Sequence, residues 1–345
     1  MLPEEESYRL TLQTKLFGWN CKLDSKKLDM LLANAGLKGD IEDAAIIPVP
    51  NTDMVIVKNI DIFTPIIDEP EIMGEIAAAN VTNDVFALNV PEISGMLVFL
   101  GMKKNMPMHI AEGILVGIRN FIENRIGSKV LGGHTIYSEW PLIGGEASGF
   151  VNKDKIIKKN YVIEGDTLIL TKPVGNQAIM AAYRLQKNNP DLLKAFSKEE
   201  IDESIDLAIE YMTMPLQSVV KAINSYEDVS FVHSMTDVSG FGLSGHLREM
   251  LQNSNLSAYI KKVPIFKLTK ELAYEFGYKF DQLEMPETAG GMLLSVDHEY
   301  AEEFSERLDS EFHVSNWIIG EIDSINEPRH VRISKDVEYV EIIDI

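Results

Sequence analysis

Hydrophobic and polar positions alternate along several segments in a way that predicts β-strands. Residues 44–49 (AAIIPV) and 53–63 (DMVIVKNIDIF) are rich in β-branched side chains, and the turn-forming cluster PNTD lies between them. The apolar run at 95–102 predicts a third strand. Two further strand-like segments carry paired glycines, at 129–137 (KVLGGHTIY) and 142–151 (LIGGEASGFV).

A helical spacing of apolar residues follows in other segments. Residues 70–88 begin with proline, and residues 109–127 end with glycine, which are the usual start and stop signals of helices. After the basic stretch KDKIIKKN, residues 164–175 (EGDTLILTKPVG) open a second strand-rich part, in which helices and strands again follow each other. We therefore expect two α/β units, 1–150 and 151–345, instead of one regular βαβ series.

Charge and composition restrict the classes of function. The 345 residues are 45% hydrophobic, which is enough for a core of ordinary size. With 53 acidic and 32 basic residues the net charge is -21, a field that repels phosphate backbones and anionic lipid. We expect no binding to nucleic acid or membranes, although a metal ion would allow a small anion to bind.

The single cysteine, Cys21, cannot form an intrachain disulfide, which fits a reducing compartment. The first residues, MLPEEESYRL, are acidic and lack the apolar core of a secretory signal. The longest apolar run, near 95–102, is far too short to span a bilayer. These features predict a soluble cytoplasmic protein.

Acidic and amide residues occur where apolar ones are expected. Asn80 and Asp84 are four residues apart in a helix that is otherwise mostly small and apolar, so they share one face. Asp43 precedes a strand, and Asp61 ends a β-branched run. Each alone fits a cap, a turn or a salt-bridged surface position. Together they offer the hard oxygen ligands that magnesium prefers.

The segment MTDVSGFGLSGHLREM gives the strongest local signal. A strand ends at Asp237, and Gly240, Gly242 and Gly245 form the spacing G-x-G-x-x-G. A dinucleotide site also needs an acidic residue about 20 positions later, and that region reads LSAYIKKVPI. We interpret the glycines as a sharp turn that presents Asp237, and His246 as a packed or capping histidine.

Two glycine-rich segments are weaker signals. LGGHTI (131–136) is a paired-glycine loop that allows a base or phosphate to approach the backbone, or else a bulge or tight turn. MPETAGGMLLSV (285–296) is a turn that leads into a buried strand.

The order and spacing of these motifs resemble the selenophosphate synthetases (selenide, water dikinases) of the aminoimidazole ribonucleotide synthetase superfamily. The matching blocks are NCKL, EDAAIIPV, NIDIFTPIIDEPEIMGEIAAANVTNDVFAL, GGHTI, GDTLILTKPVG, MTDVSGFGLSGH and PETAGGMLL. They cover most of the chain, and their details are nearer to the archaeal and eukaryotic branch. The hydrogenase-maturation branch ends in a reactive cysteine, whereas this chain ends in VEIIDI.

This resemblance implies a two-domain α/β fold and a homodimer whose N-terminal strands build a shared barrel. It implies that ATP and Mg²⁺ bind in a cleft between the domains, partly closed by the N-terminal segment. The family reaction converts ATP, selenide and water to selenophosphate, AMP and phosphate.

The resemblance also assigns roles to individual residues. Asp43, Asp84 and Asp237 match the magnesium ligands, and Asp61 is a further acidic residue near the nucleotide. Lys22 matches a lysine that contacts the phosphates. The nucleotide-binding loop is matched by Gly132, Gly133, His134 and Thr135.

One position departs from the family pattern. Active members carry selenocysteine or cysteine two residues before Cys21, where this chain has Trp19. Trp19 cannot carry selenium, so its indole is expected to stack on a nucleotide or to act as a hydrophobic plug. Three functions stay open: a selenophosphate synthetase with impaired selenide chemistry, a paralogue that phosphorylates a sulfur compound or small metabolite, and a non-catalytic nucleotide-binding regulator.

Overall fold

Two β-sheets with flanking helices make up the protein, as a computed structural model that describes residues 8–23, 25–37, 42–324 and 329–344 shows. The predicted mixed α/β architecture is confirmed. The strands of the first sheet lie within 45–152 and those of the second within 167–342. The division of the chain into domains at 150/151 stays a prediction. No helix in these described ranges is long and apolar enough to cross a membrane.

The first sheet has the strand order β1–β2–β5–β3–β4, in which β3 and β4 are parallel and the other neighbours antiparallel. In chain order its strands are β1 (Ala45–Pro48), β2 (Met54–Phe63), β3 (Ile93–Met102), β4 (Val130–Tyr137) and β5 (Leu142–Asn152). Alternation of apolar side chains in β2 places Val55 and Val57 in the core. The opposite face exposes Ile60, Leu97 and Phe150.

Two helices cover the buried face of the first sheet. Helix α2 (Pro70–Phe86) begins with a proline, which suits a first helical turn, and is buried along most of its length. Helix α3 (Met108–Arg119) packs against α2 and continues as a π-helical segment, Asn120–Arg125. The single helix predicted over 109–127 is therefore two consecutive helical forms.

The second sheet has the strand order β11–β8–β10–β6–β9–β7, in which only β11 and β8 are parallel. Its strands are β6 (Thr167–Leu170), β7 (Val232–Asp237), β8 (Ser257–Phe266), β9 (Met292–Val296), β10 (Trp317–Asp323) and β11 (Val331–Ile342). The accompanying helices are α4 (Asn176–Asn188), α5 (Lys198–Met212), α6 (Gln217–Ile223), α7 (Gly242–Met250), α8 (Thr269–Glu275) and α9 (His298–Ser310).

The segment before the first sheet is fastened to both halves of the protein. Arg9 Nε donates to Asp68 Oδ2 at 2.6 Å, and an Arg184 side-chain N–H on α4 donates to Thr14 O at 3.1 Å. A 3₁₀ turn, Gly18–Cys21, follows, and α1 (Ser25–Asn34) comes next. These contacts fix the position at which the chain enters the functional site.

The paired glycines of 131–136 lie in strand β4, which confirms the strand predicted over 129–137, whereas the expectation of a loop at 131–136 is wrong. Residues Gly132 to Tyr137 pair in parallel with Leu97 to Met102 of β3, and a bulge falls at Leu131. A Cβ atom at Gly133 would lie 2.1 Å from Val98 O. Glycine at this position therefore allows two strands to pair closely.

Candidate functional site

A cavity of about 860 Å³ lies between the two sheets, within the size range of small-molecule sites. The N-terminal segment contributes Trp19 and Lys22, the chain just before β1 contributes Asp43, and β2 and α2 contribute Asp61 and Asp84. From the second half of the chain the lining includes Lys159, Asn160, Ser239, Phe241, His246, Arg248, Glu249 and Glu284. We call this cavity the cleft.

The predicted acidic residues are brought together by three different elements. Asp61 lies near the end of β2, Asp84 lies on α2, and Asp237 is the last residue of β7. Asp84 is within hydrogen-bonding reach of both Asp61 and Asp237. Asp237 is 2% exposed and does not itself line the cavity.

Burial and mutual repulsion dominate the protonation of this cluster. Burial, and then the negative charge of Asp237, raise the pKa of Asp84 well above its usual value. Burial and the charge of Asp43 raise the pKa of Asp237 to about 7. Burial also raises the pKa of Asp61. Because a cation would relieve the repulsion between these carboxylates, the cluster favours cation binding.

The cluster fits a magnesium ion by the chemistry of its donors. Asp43 Oδ2 and Asp237 Oδ1 are buried oxygens to which no donor among the described residues gives a hydrogen bond. No three His, Cys, Asp or Glu side chains in the described ranges are arranged to enclose a metal by themselves. Magnesium commonly takes one or two carboxylates and completes its shell with water and substrate phosphates, so both observations are compatible with it.

Lys159 is a site residue that the sequence reasoning missed, since the stretch KDKIIKKN was interpreted only as a polar interruption. Its Nζ lies 3.0 Å from Asp43 Oδ1 and 3.3 Å from Glu249 Oε2, and its side chain is 9% exposed. Burial alone would lower the pKa of Lys159, but the two carboxylates outweigh burial and raise it. This ammonium fixes Asp43 against α7 and stays charged. Only the tertiary fold reveals it, because the partners are 116 and 90 residues away in the chain.

Trp19 is packed into the protein and is 6% exposed. Its ring stacks on Phe63 with 5.1 Å between ring centroids, and its indole N–H donates to Asn80 Oδ1 at 2.9 Å. Of the two expectations for Trp19, this packing matches the hydrophobic plug. Lys22 Nζ lies 5.2 Å from the Trp19 ring centroid and 4.6 Å from that of Phe241. The ammonium that the sequence assigned to phosphate contact therefore rests between two aromatic faces at the cleft.

Cys21 does not have the surroundings of an activated thiol. It is half-buried, and burial raises the pKa of its thiol, with a smaller opposing effect from hydrogen bonds to Thr64. A nucleophilic cysteine usually has a lowered pKa next to a positive group. Cys21 is therefore poorly suited to replace the missing chalcogen at position 19.

His246 and the glycines after β7 behave as the sequence interpretation predicts. His246 Nε2 accepts a hydrogen bond from the backbone N–H of Ser239 at 3.0 Å, and burial lowers the pKa of His246 well below its usual value. Gly242 has φ +70, which favours glycine, and a Cβ there would lie 2.5 Å from Met285 O. Among the described residues, β7 is an edge strand that pairs antiparallel with β9, whereas a dinucleotide fold places this glycine motif after a strand of a parallel sheet.

The residues Gly132 to Thr135 do not line the cleft. They are exposed on β4, the edge strand of the first sheet. Within one chain they therefore do not join the carboxylates, and their assignment to nucleotide binding stays a prediction.

Comparison with known proteins places this geometry in context. Residues 41–151 match the family described as AIR synthase related protein, N-terminal domain, and residues 164–331 match the corresponding C-terminal domain. The selenide, water dikinase of Methanocaldococcus jannaschii is 36% identical over 98% of this chain and 99% of its own length. That of Methanococcus maripaludis is 37% identical over 96% of this chain and 99% of its own length.

Solved structures share the fold at lower identity. Thiamine monophosphate kinase from Aquifex aeolicus superimposes with a TM-score of 0.67 at 16% identity, covering 93% of this chain and all of its own. The hydrogenase maturation protein HypE in complex with ATP gives a TM-score of 0.64 at 17% identity, covering 85% of this chain and 84% of its own.

Proposed function

Because this chain belongs to the selenide, water dikinase family, we propose that it is an ATP- and magnesium-dependent phosphotransferase of the selenophosphate synthetase type. The observation that carries the proposal is the convergence of Asp43, Asp61 and Asp84 with Lys22 and Lys159 on one cleft. In the family reaction, ATP, selenide and water give selenophosphate, AMP and phosphate.

The acidic cluster and Lys22 have different roles in binding a polyphosphate. Asp43, Asp84 and Asp237 would hold Mg²⁺, which neutralises phosphate charge when it is bound. Asp61 adds a further acidic group near the nucleotide and the metal. Lys22 supplies a point positive charge on a flexible stem, suited to following phosphate oxygens. Mg²⁺ and Lys22 together would therefore allow a strongly acidic protein to bind an anionic substrate.

Selenide transfer is the step that we propose to be impaired. Trp19 offers only an indole N–H donor, and that donor is already used by Asn80. A thiolate or selenolate would instead provide a lone pair near neutral pH. Selenide is itself a strong nucleophile, so the enzyme keeps a route to selenophosphate, at a rate below that of members with the chalcogen residue.

The packing of Trp19 also favours a second function. A packed tryptophan in place of the chalcogen fits a paralogue that uses ATP to phosphorylate another acceptor, such as a sulfur compound or small metabolite. A regulator that binds nucleotide without turnover is disfavoured, because the complete set of carboxylates and Lys22 is retained.

Phosphorus NMR of ATP incubations distinguishes these functions. We expect magnesium-dependent formation of AMP, with a weak selenophosphate signal that requires selenide. ATP turnover that gives no selenophosphate at any selenide concentration would support another acceptor. Tight ATP binding without any product would overturn the enzymatic proposal.

The role of the residue at position 19 is tested by comparing selenophosphate formation in wild type and in Trp19→Cys. If the N-terminal segment of Trp19→Cys still docks, the variant should form more selenophosphate per AMP than wild type. An unchanged ratio would show that the chalcogen residue is dispensable in this chain.

We also propose a homodimer built on the first sheet, as the resemblance implies. The exposed side chains of Ile60, Leu97 and Phe150 lie on the face opposite α2, and β4 is an open edge strand. Exposed apolar side chains on one sheet face are typical of an interface. In such a dimer, residues Gly132 to Thr135 of one protomer would lie at the interface with its partner, outside the cleft of their own protomer.

A further inference from the structure

We propose that Trp19 is a positioning residue for the ATP part of the site: its indole N–H orients the Asn80 amide that donates to Asp61, and its ring holds the Lys22 ammonium at the cleft. This inference rests on the proposed function and concerns what the residue at the chalcogen position does instead of chalcogen chemistry.

The first half of the inference follows from the hydrogen bonds of Asn80, which is 2% exposed. Its Oδ1 accepts from Trp19 Nε1 at 2.9 Å and from the backbone N–H of Ala289 at 3.0 Å. Its Nδ2 donates to Asp61 Oδ2 at 3.0 Å. Because both partners of Oδ1 are obligate donors, a flipped amide would place N–H against N–H. Trp19 therefore helps to fix the orientation in which Asn80 serves Asp61.

Asn80 joins three separate parts of the protein through these contacts. Trp19 belongs to the N-terminal segment, Asp61 to β2, and Ala289 to the turn before β9. Ala289 has φ +48, an uncommon backbone conformation for a residue with a side chain. Lys172 Nζ donates to Ala289 O at 3.0 Å, so this peptide is held on both sides. Asn80 can transmit the docking of the N-terminal segment to the carboxylate cluster.

The surroundings of the Trp19 ring support the second part of the proposal, that the ring holds the Lys22 ammonium at the cleft. One neighbour is Phe63, which is fully buried and nearly parallel to it at 18°. Lys22, three residues along the chain, places its ammonium 5.2 Å from the same ring. A cation within about 6 Å of an indole face is attracted by the ring quadrupole. The ring thus restricts the position of the lysine that is proposed to meet the phosphates.

The test compares the affinity for Mg²⁺–ATP, by calorimetry, of wild type, Trp19→Phe, Trp19→Cys, Asn80→Ala and the double variant Trp19→Phe/Asn80→Ala. Phenylalanine keeps a ring but removes the N–H that orients Asn80, so we expect an affinity about tenfold lower, on the energy scale of one buried hydrogen bond. Cysteine removes ring and N–H together and should bind more weakly still. In the Asn80→Ala background, Trp19→Phe should cause no further loss.

Two controls separate positioning from general stability. Trp140→Phe changes a tryptophan that is 43% exposed and outside the cleft, and it should bind like wild type. Thermal unfolding of each variant identifies any that fail to fold, and the folded ones are compared below their transitions. A purely structural Trp19 would lower Tm but leave affinity unchanged.

The possible results distinguish a failure of the positioning role of Trp19 from a failure of the proposed function. If wild type binds ATP and folded Trp19→Phe matches its affinity within twofold, the positioning role is wrong. Independent, additive losses in the double variant would also contradict it, because the two residues would then act separately. If wild type does not bind Mg²⁺–ATP at all, the proposed function itself fails.

Discussion

Single buried carboxylates of the acidic cluster are expected to make stability depend on pH. Burial and the charge of Asp43 raise the pKa of Asp237 to about 7, whereas an aspartate in an unfolded chain titrates near 4. Between about pH 4 and pH 7 the folded protein holds a proton that the unfolded chain has released. The free energy of unfolding should therefore fall as pH rises through this window.

Thermal unfolding in a chelator between pH 5 and pH 8 measures this dependence. We expect Tm to decrease with pH in wild type and to decrease less steeply in Asp237→Asn, which cannot ionise. A wild-type Tm that rises over this range would contradict the protonation of the buried cluster.

Lys159 gives a second prediction at the scale of one residue. Lys159→Met leaves Asp43 and Glu249 without their shared cation, and breaking a largely buried pair in this way should lower the free energy of unfolding by about 3 kcal/mol. Lys153→Met is the control, because Lys153 and Asp53 pair with side chains 56% and 71% exposed and should contribute less than about 1 kcal/mol. Urea unfolding compares them, and equal losses would refute the role of Lys159.

Contacts of single residues could be predicted only where the two partners are close together in the sequence. Asp61 and Asp84 were recognisable because each is a charged residue in an otherwise largely apolar segment. The packed position of His246 was predictable because its partner, Ser239, is seven residues away. The bond from Trp19 to Asn80 spans 61 residues, and no local pattern indicates such a pair.

At the scale of elements, strand β4 carries the next prediction. Gly133→Ala would place a Cβ atom 2.1 Å from Val98 O and should break the parallel pairing of β4 with β3, lowering the free energy of unfolding by about 2 kcal/mol or more. His134→Ala, at an exposed neighbouring position, should change it by less than about 0.5 kcal/mol. Hydrogen exchange of the β4 amides checks this directly. Unchanged protection in Gly133→Ala would mean that the strand does not need glycine there.

The strand β2 was predictable from its apolar alternation, and the helix α2 from its apolar content and the proline at its start. The paired glycines of 131–136 left both a loop and a strand open, because glycine is typical of loops and also of closely paired strands. Only the partner strand β3 decides between these two possibilities, and pairing between strands is not encoded in the local sequence. The change from α to π geometry after α3 was likewise invisible in the apolar spacing.

For the whole molecule, we predict a homodimer that uses the open face of the first sheet. Ile60→Lys should weaken it, because a charge would enter an apolar interface, whereas Met108→Lys on α3 should not. Light scattering at micromolar concentration gives the mass. A monomeric wild type, or a dimer insensitive to Ile60→Lys, would contradict the proposed interface.

The overall architecture was predictable because motif order extends along most of the chain, and the two-sheet fold agrees with it. The sequence could not predict that Gly132 to Thr135 lie away from the cleft, since this follows from sheet order. It also could not predict the fastening of the N-terminal segment, which depends on contacts such as Arg9 with Asp68.

The central claim is that the acidic cleft binds ATP through Mg²⁺, and calorimetric titration tests it most directly. Wild type should bind ATP in the presence of Mg²⁺ and bind weakly without it. Asp84→Asn and Asp237→Asn should each lower the affinity about a hundredfold, because each removes a charged ligand from a buried site. The matched control, Asp53→Asn at an exposed position, should bind normally. Unchanged affinity in both Asp84→Asn and Asp237→Asn would contradict the assignment of the site.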